Sequence, residues 1–378
     1  MNTAYLDNHA TTALDPRVAE AMGTAMLSHF GNPSSLHGPG RQARKAVNEA
    51  RQQVAEVLGA RQREVVFTSG GTEANNLAIR SAFALAGEGQ SRRIITSAVE
   101  HPSVLETVAT RPGVEVVKVP VDSEGQLDLA FLEAALEAPT ALVSLMAANN
   151  ETGVRFDVES IADLCARAGV LFHCDAVQAL GKGPLPTAAD LVSLSAHKIH
   201  GPKGVGALRV RKGLELPPLH AGGHQERGRR GGTENTLAII GFGVAAQLVG
   251  MGNDTELERI RGLRDRLEAG ICARIERARV NGGSAQRLPT VTNVHLPGLE
   301  GEAMVIALDM EGVAISSGSA CSSGTMEPSH VLLAMGLPYA WANCSLRFSL
   351  SRFTTDEEID FTLERLPQVA QRLQALGL

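Results

Sequence analysis

The chain has 378 residues, 44% of them hydrophobic, with a formal net charge of −6. That length buries a large core, divided between two domains, and the acidic balance argues against a nucleic acid as main ligand. Five widely spaced cysteines, an odd number without a Cys-x-x-Cys pair, exclude a disulfide framework and suggest no structural zinc or other metal site.

Tyr5-Leu-Asp-Asn-His-Ala-Thr-Thr12 reads as a short arm, and the start Met1-Asn-Thr-Ala-Tyr-Leu-Asp7 lacks the basic and apolar regions of a signal peptide. No apolar run reaches membrane-spanning length, so no membrane contact is expected, and the cysteine usage suggests a reducing cytoplasm. Residues 31–40 read as a loop, and 41–58 as an amphipathic helix with Ala43, Ala46, Val47, Ala50, Val54 and Val57 on one side. Strands are then predicted at 65–68, 93–96, 114–119, 141–145, 170–174, 191–194 and 205–210, with helices at 72–86, 129–138 and 158–168 between them. Such alternation predicts a mostly parallel sheet covered on both faces, with ligands beyond the carboxyl ends of its strands. After Thr236 the pattern changes to helices at 237–250 and 254–278, a strand at 290–295, a helix at 301–310, a strand at 313–316 and a final helix from 355. The expected organisation is α/β, with a large domain at 14–250 and a smaller α+β domain built from 1–13 and 251–378.

Chemistry concentrates at predicted strand ends. Ser195-Ala-His-Lys198 follows the apolar run from Leu191 and precedes a glycine-rich turn. A lysine placed there is poorly solvated and suited to covalent bonding with an aldehyde. Asp175 ends the strand at 170–174, with Gln178 three residues on. Pyridoxal phosphate needs such a lysine, and an acidic partner for its ring nitrogen; Gln178 could donate to its phenolic oxygen. Glu64-Val-Val-Phe-Thr-Ser-Gly-Gly-Thr72 runs a strand into a helix start, where Gly71 and Thr72 would admit a phosphate. Taken singly, these are also a surface lysine, a cap residue and a tight turn. Phosphate loop, aspartate and lysine in that order describe a pyridoxal phosphate enzyme of the aspartate-aminotransferase fold type.

Further candidates follow. Cys321, in Ser316-Ser-Gly-Ser-Ala-Cys-Ser-Ser-Gly324, has no bulky neighbours in sequence and is the candidate nucleophile. Cys165, Cys174 and Cys272 fall in apolar segments and read as core residues, whereas Cys344 is less clear. His101 can stack on a pyridine ring and move protons. His197 could bind phosphate, Ala148-Asn-Asn-Glu-Thr-Gly153 could offer a side-chain amide, and Arg347, in Ser345-Leu-Arg-Phe-Ser349, could grip a carboxylate with its two-pronged guanidinium. Arg227-Gly-Arg-Arg230 is either a solvated loop or a phosphate or partner contact.

With these motifs assembled, the chain resembles the cysteine desulfurases of the NifS/IscS-like branch of the class V aminotransferases, nearly end to end. The Ser-Gly-Ser-Ala-Cys-Ser-Ser segment matches that branch rather than the SufS-like one. The resemblance implies fold type I and conversion of L-cysteine to L-alanine, with sulfur left as a persulfide on Cys321. It assigns Lys198 the covalent cofactor bond, Asp175 the ring nitrogen, Gln178 the phenolic oxygen and His101 ring stacking and proton transfer. It places Gly71, Thr72, Ser195 and His197 at the phosphate or cofactor, Asn150 near cofactor and substrate, and Arg347 on the substrate carboxylate. Thr233 would reach the phosphate of a second copy in a homodimer. The acceptor would be a sulfur-acceptor protein, an iron–sulfur scaffold or a thiolation protein. Housekeeping members carry a longer tail for scaffold docking than the one that runs here to Leu378, so that contact is not expected in the same form. Two alternatives stay open: another enzyme of this fold, such as an aminotransferase, β-lyase or selenocysteine lyase, and a relay protein without turnover.

Overall fold

A computed structural model describes residues 3–86, 92–251, 254–317 and 327–376. The strands are β1 (Ala4–Tyr5), β2 (Val65–Thr68), β3 (Arg93–Ser97), β4 (Glu115–Val119), β5 (Leu142–Met146), β6 (Leu171–Asp175), β7 (Leu191–Ser195), β8 (Gly206–Val210), β9 (Arg279–Val280), β10 (Val291–His295), β11 (Val313–Ala314), β12 (Ser316–Ser317) and β13 (Ser345–Ser349). The helices are α1 (Pro16–Ser28), α2 (Gly38–Val57), α3 (Gly71–Ala86), α4 (Pro102–Ala109), α5 (Leu129–Ala135), α6 (Val158–Ala168), α7 (Thr236–Gly250), α8 (Asp254–Arg274), α9 (Gly301–Met310), α10 (His330–Ala334), α11 (Tyr339–Asn343) and α12 (Asp356–Leu376).

The central sheet has the order β2-β8-β7-β6-β5-β3-β4. From β4 to β7 every pairing is parallel. Strands β2, β5 and β7 are buried at every position, as a sheet covered on both faces requires. The exception to parallel order is β8, antiparallel to both neighbours. The segment between Ser195 and Gly206 is too short for a crossover helix, so the chain must turn straight back. That turn carries Lys198.

The predicted loop at 31–40 gives way to helix earlier than expected. Pro39 sits in the first turn of α2, and His37 Nδ1 caps it by accepting from the Gly40 amide at 3.3 Å. Five of the six residues expected on the inner face of α2 are buried, and Val57 partly so. Apolar on all sides, α7 is packed between α1 and α2. A Cβ on Gly243 would lie 2.6 Å from Ala50 Cα, so only glycine permits this approach of α7 to α2.

A second sheet, β12-β13-β10-β9, is antiparallel and is covered by α8, α9 and α12. Its hydrophobic cluster draws on Ala4, Leu6 and residues from Ile260 to Leu373. The strand predicted at 313–316 is divided: β11 pairs with β1, whereas Ser316 pairs with Arg347 on β13. Short helices α10 and α11, absent from the sequence prediction, send Val331, Leu332, Met335 and Ala342 into the first core. No single described helix is long and apolar enough to cross a membrane.

One buried ion pair ties α2 to a distant loop. Arg51 holds Glu226 through Nη1 at 2.5 Å and Nη2 at 2.8 Å, and Glu226 also accepts from the Phe67 amide. Glu226 and Arg227 adopt left-handed backbone, with φ of 48° and 59°, so the loop conformation is strained as well as pinned. Glu226→Ala leaves the buried Arg51 guanidinium without its countercharge. Chemical denaturation is expected to show a loss of about 3–5 kcal/mol.

Candidate active site

The carboxyl ends of β5, β6 and β7 and the amino end of α3 enclose a cavity of about 220 Å3. Gly71, Thr72, His101, Asn150, Asp175, Gln178, Ser195, His197, Lys198 and Arg347 all line it, so the structure gathers ten of the twelve predicted site residues. Thr233 is exposed and does not line this cavity. Cys321 lies outside the described residues. A roomier concavity, about 630 Å3, is lined by Arg80, Arg92, Arg111 and apolar residues, and brings together none of the strand-end groups.

Sheet register places the acidic and basic ends side by side: Met146 pairs with Asp175, and Asp175 with Ser193. Asp175 Oδ1 accepts from the Val177 amide at 3.0 Å, and Oδ2 accepts from Asn75 Nδ2 at 2.7 Å. Asn75 also donates to Ser103 Oγ at 2.8 Å, and Ser103 Oγ lies 2.8 Å from His101 Nδ1. The Ser103 amide donates to the same Nδ1 at 3.1 Å, so neutral His101 carries its proton on Nε2. Burial pulls the His101 pKa below its ordinary value, and nearby Asp175 offsets this only in part.

The opposite wall is a ready anion site. Gly71 begins a helix of 16 residues whose first N–H groups lack intrahelical partners. A Cβ on Gly71 would meet Val177 Cγ2 at 2.8 Å, so glycine lets the helix start approach the turn after Asp175. Ser195 Oγ is buried and has no partner among the described residues. His197 Nδ1 lies 3.2 Å from Thr11 Oγ1, and burial brings the ring down to about 4, so it is neutral at pH 7.

The N-terminal arm closes the floor. Lys198 Nζ donates to the His9 and Ala10 carbonyls at 2.5 and 2.8 Å. Thr12 fastens the same turn, donating from its amide and hydroxyl to the His197 carbonyl and accepting from the His200 amide. His200 adopts left-handed backbone at φ 64°, a strained turn two residues after the lysine. Gln178 Nε2 donates to the His9 carbonyl at 3.0 Å.

Arg347 enters from β13, whose Leu346 and Phe348 belong to the second core. Its Nη2 pairs with Asp7 Oδ1 at 2.9 Å and its Nη1 donates to the Asn150 carbonyl at 3.2 Å; its buried Nε has no partner among the described residues. Of the asparagine pair, Asn149 folds its own turn by accepting from the Glu151 and Thr152 amides, which leaves Asn150 to line the cavity.

Sequence reasoning missed Asp7, His9, Asn75, Ser103, Lys182 and Glu100. Asp7 and His9 stood within the N-terminal motif, and Lys182 lies four residues after Gln178, a spacing that offered a signal. Glu100 ties β3 to β5, accepting from Ser97 Oγ at 2.7 Å and the Met146 amide at 3.0 Å, and burial raises it to about 8. Cys165 and Cys174 are buried as expected. Cys272 is instead exposed, because the inner face of α8 is set by Leu263, Leu267, Gly270 and Ile271. Of the arginine cluster, Arg230 pairs with Glu73 at 2.9 Å, and Arg227 and Arg229 donate to the Arg63 carbonyl.

This sheet order, with a lysine, an aspartate and a helix start at one sheet end, defines a fold type I enzyme. The class V aminotransferase model matches residues 4–361, and the chain belongs to that family, whose members depend on pyridoxal phosphate. Within it the chain is an enzyme of the cysteine desulfurase kind. The cysteine desulfurase of Nostoc sp. is 50% identical over 100% of this chain and 95% of that protein. A solved NifS-like protein superposes with a TM-score of 0.90 at 35% identity, covering 98% of this chain and all of that one. SspA, solved in complex with cysteine, gives 0.81 at 34% identity, covering 93% of this chain and 100% of its own.

Proposed function

We propose that the cavity holds pyridoxal phosphate and that the chain takes sulfur from L-cysteine, leaving L-alanine and a persulfide on Cys321. The observation that carries this reading is the meeting of Lys198, Asp175, Gln178 and the amino end of α3 in one cavity. The partnerless Ser195 hydroxyl and the close approach permitted by Gly71 fit a phosphate, with Thr72 and His197 beside it. Bound there, the cofactor would supply a carbonyl for the substrate amine and an electron-accepting ring.

The chain's own groups do the rest. Lys198 would hold the cofactor covalently, and its Nζ, when not so engaged, would move the α-proton of the substrate. The His9 and Ala10 carbonyls, which hold that Nζ in this structure, are its resting place when free. Asp175, oriented by Asn75 and the Val177 amide, would hold a proton at the ring nitrogen. His101, kept neutral by burial, lines the cavity where it would stack on the cofactor ring and exchange protons with the reacting thiols. Arg347, with Asn150, anchors the substrate carboxylate, which competes with Asp7 for the guanidinium. The Cys321 sulfur bonds to the substrate sulfur, the Cβ–S bond breaks, and Cβ takes up a proton. The net change is L-cysteine plus thiol to L-alanine plus persulfide.

The SspA relative bound to cysteine supports the substrate. A homodimer fits exposed Thr233 and the exposed Met26, Leu27, Phe30 and Leu36 near α1. The division into units 14–250 and 1–13 with 251–378 is supported by the second cluster, which draws only on Ala4, Leu6 and residues 260–373, although residues 331–342 pack into the first. The reading includes the cytoplasm and a sulfur-acceptor protein, an iron–sulfur scaffold or a thiolation protein.

The holoenzyme given L-cysteine and excess reducing thiol is expected to release L-alanine; none, with cofactor bound, would overturn the reading. In the same assay Arg347→Lys, which keeps the charge but lacks the planar fork, should raise the KM for L-cysteine about 10-fold or more, with a smaller change in kcat.

A further inference from the structure

Lys182 is a buried lysine that the scheme above does not use. It is 8% exposed and lies in the turn after Asp175. Its Nζ donates to Gln178 Oε1 at 2.9 Å, and no carboxylate pairs with it among the described residues. Nothing about this placement favours stability: burial and the charges of Lys198 and Arg347 push its pKa well below the ordinary lysine value. An amine kept at such a position serves its one acceptor.

That acceptor is the amide of Gln178, which is gripped at both ends. Its Nε2 donates to the His9 carbonyl at 3.0 Å while its Oε1 receives the Lys182 amine. A flipped amide would set Oε1 against a carbonyl oxygen, which can only accept. The His9 contact therefore decides which end faces the arm, and the Lys182 contact fixes the plane of the amide. The second N–H of Gln178 is then the group left for the cavity that Gln178 lines.

We propose that Lys182 is a positioning residue that locks the Gln178 amide so that an N–H, never the carbonyl oxygen, faces the phenolic oxygen of bound pyridoxal phosphate. The inference rests on the cofactor reading above and adds the group that makes Gln178 an obligate donor. Without the lock, the phenolic oxygen loses part of its donor and becomes more basic. The proton shared at the cofactor's covalent bond to Lys198 is then retained to higher pH.

The test is a pH titration of the visible absorption of the substrate-free holoenzyme, a readout independent of turnover. Lys182→Met and Gln178→Leu are each expected to raise the midpoint by about one pH unit. The double variant should shift no further than the larger single change, because both remove one interaction. Lys182→Arg, which keeps an N–H donor, should titrate like the wild type and covers a failure of Lys182→Met to fold. An unshifted Lys182→Met beside a shifted Gln178→Leu would overturn the proposal alone. So would additive shifts in the double variant, which would make Lys182 an independent charge. An unshifted Gln178→Leu would overturn the proposal together with the Gln178 assignment on which it rests.

Discussion

Lys198→Ala is expected to lose alanine formation almost completely. Proton transfer by a positioned side chain contributes about 10²–10⁴-fold on its own, and the variant loses the covalent bond as well. The loss should be visible without turnover: borohydride treatment of the wild type should fix the cofactor to the protein mass, and the same treatment of the variant should not. The substitution spares the fold on local grounds. Lys198 Nζ contacts two carbonyls of the arm, and the His9 carbonyl keeps its second donor, Gln178. Thr12 still fastens the turn from both sides. A small primary amine added to the variant should restore part of the proton-transfer rate. Covalent fixation of cofactor in Lys198→Ala, at wild-type level, would remove this lysine from its role.

Cys321→Ala should separate sulfur transfer from cofactor chemistry. Alanine formation is expected to fall by on the order of 10³-fold or more, the scale reached when an enzyme's nucleophile is removed. The cofactor spectrum and its response to added L-cysteine should remain. None of the other cysteines lines the cavity, so none is placed to substitute. Burial drives the Cys165 thiol to about 12 and that of Cys174 well above its ordinary value. At pH 7 a thiol at about 12 leaves a thiolate fraction of only about 10⁻⁵. Retained alanine formation in Cys321→Ala would mean that sulfur leaves by another route, and mass spectrometry for a persulfide would locate it.

How much of this could be read from residues alone divides along physical lines. The central strands were legible because each is a short apolar run with turn residues at its ends, and Asp175 and Lys198 are visible as polar groups just past such runs. The phosphate wall was legible as a Gly-Gly turn opening a helix. The strand at 205–210 was legible too, but not its reversed direction as β8, since apolar pattern carries no direction. The helices α10 and α11, five residues each, are too short to show a helical period. Side-chain partnerships were least accessible. Asp7 with Arg347, Asn75 with Asp175 and Arg51 with Glu226 join residues far apart in sequence, and no local pattern encodes which distant group completes a pair. The roles of Lys198, Asp175, Gln178 and the phosphate loop were suggested by strand-end placement, whereas Thr233 and the choice of Asn150 came from the family resemblance.

The arm that closes the floor of the cavity has a consequence for biosynthesis. Asp7 is held by Arg347, Asn8 by Ser349, and β1 by β11, so segments made first are fastened by segments made last. Domains fold as units as they emerge from the ribosome, N-terminal portions first. Residues 9–12 of the arm can dock on the stretch from Gln178 to His200 as the central sheet forms, whereas Asp7 and Asn8 wait for β13, more than three hundred residues further on. The substrate-anchoring wall therefore belongs to the finished polypeptide, and a ribosome stalled before β13 would present a cavity with its lysine but without Arg347.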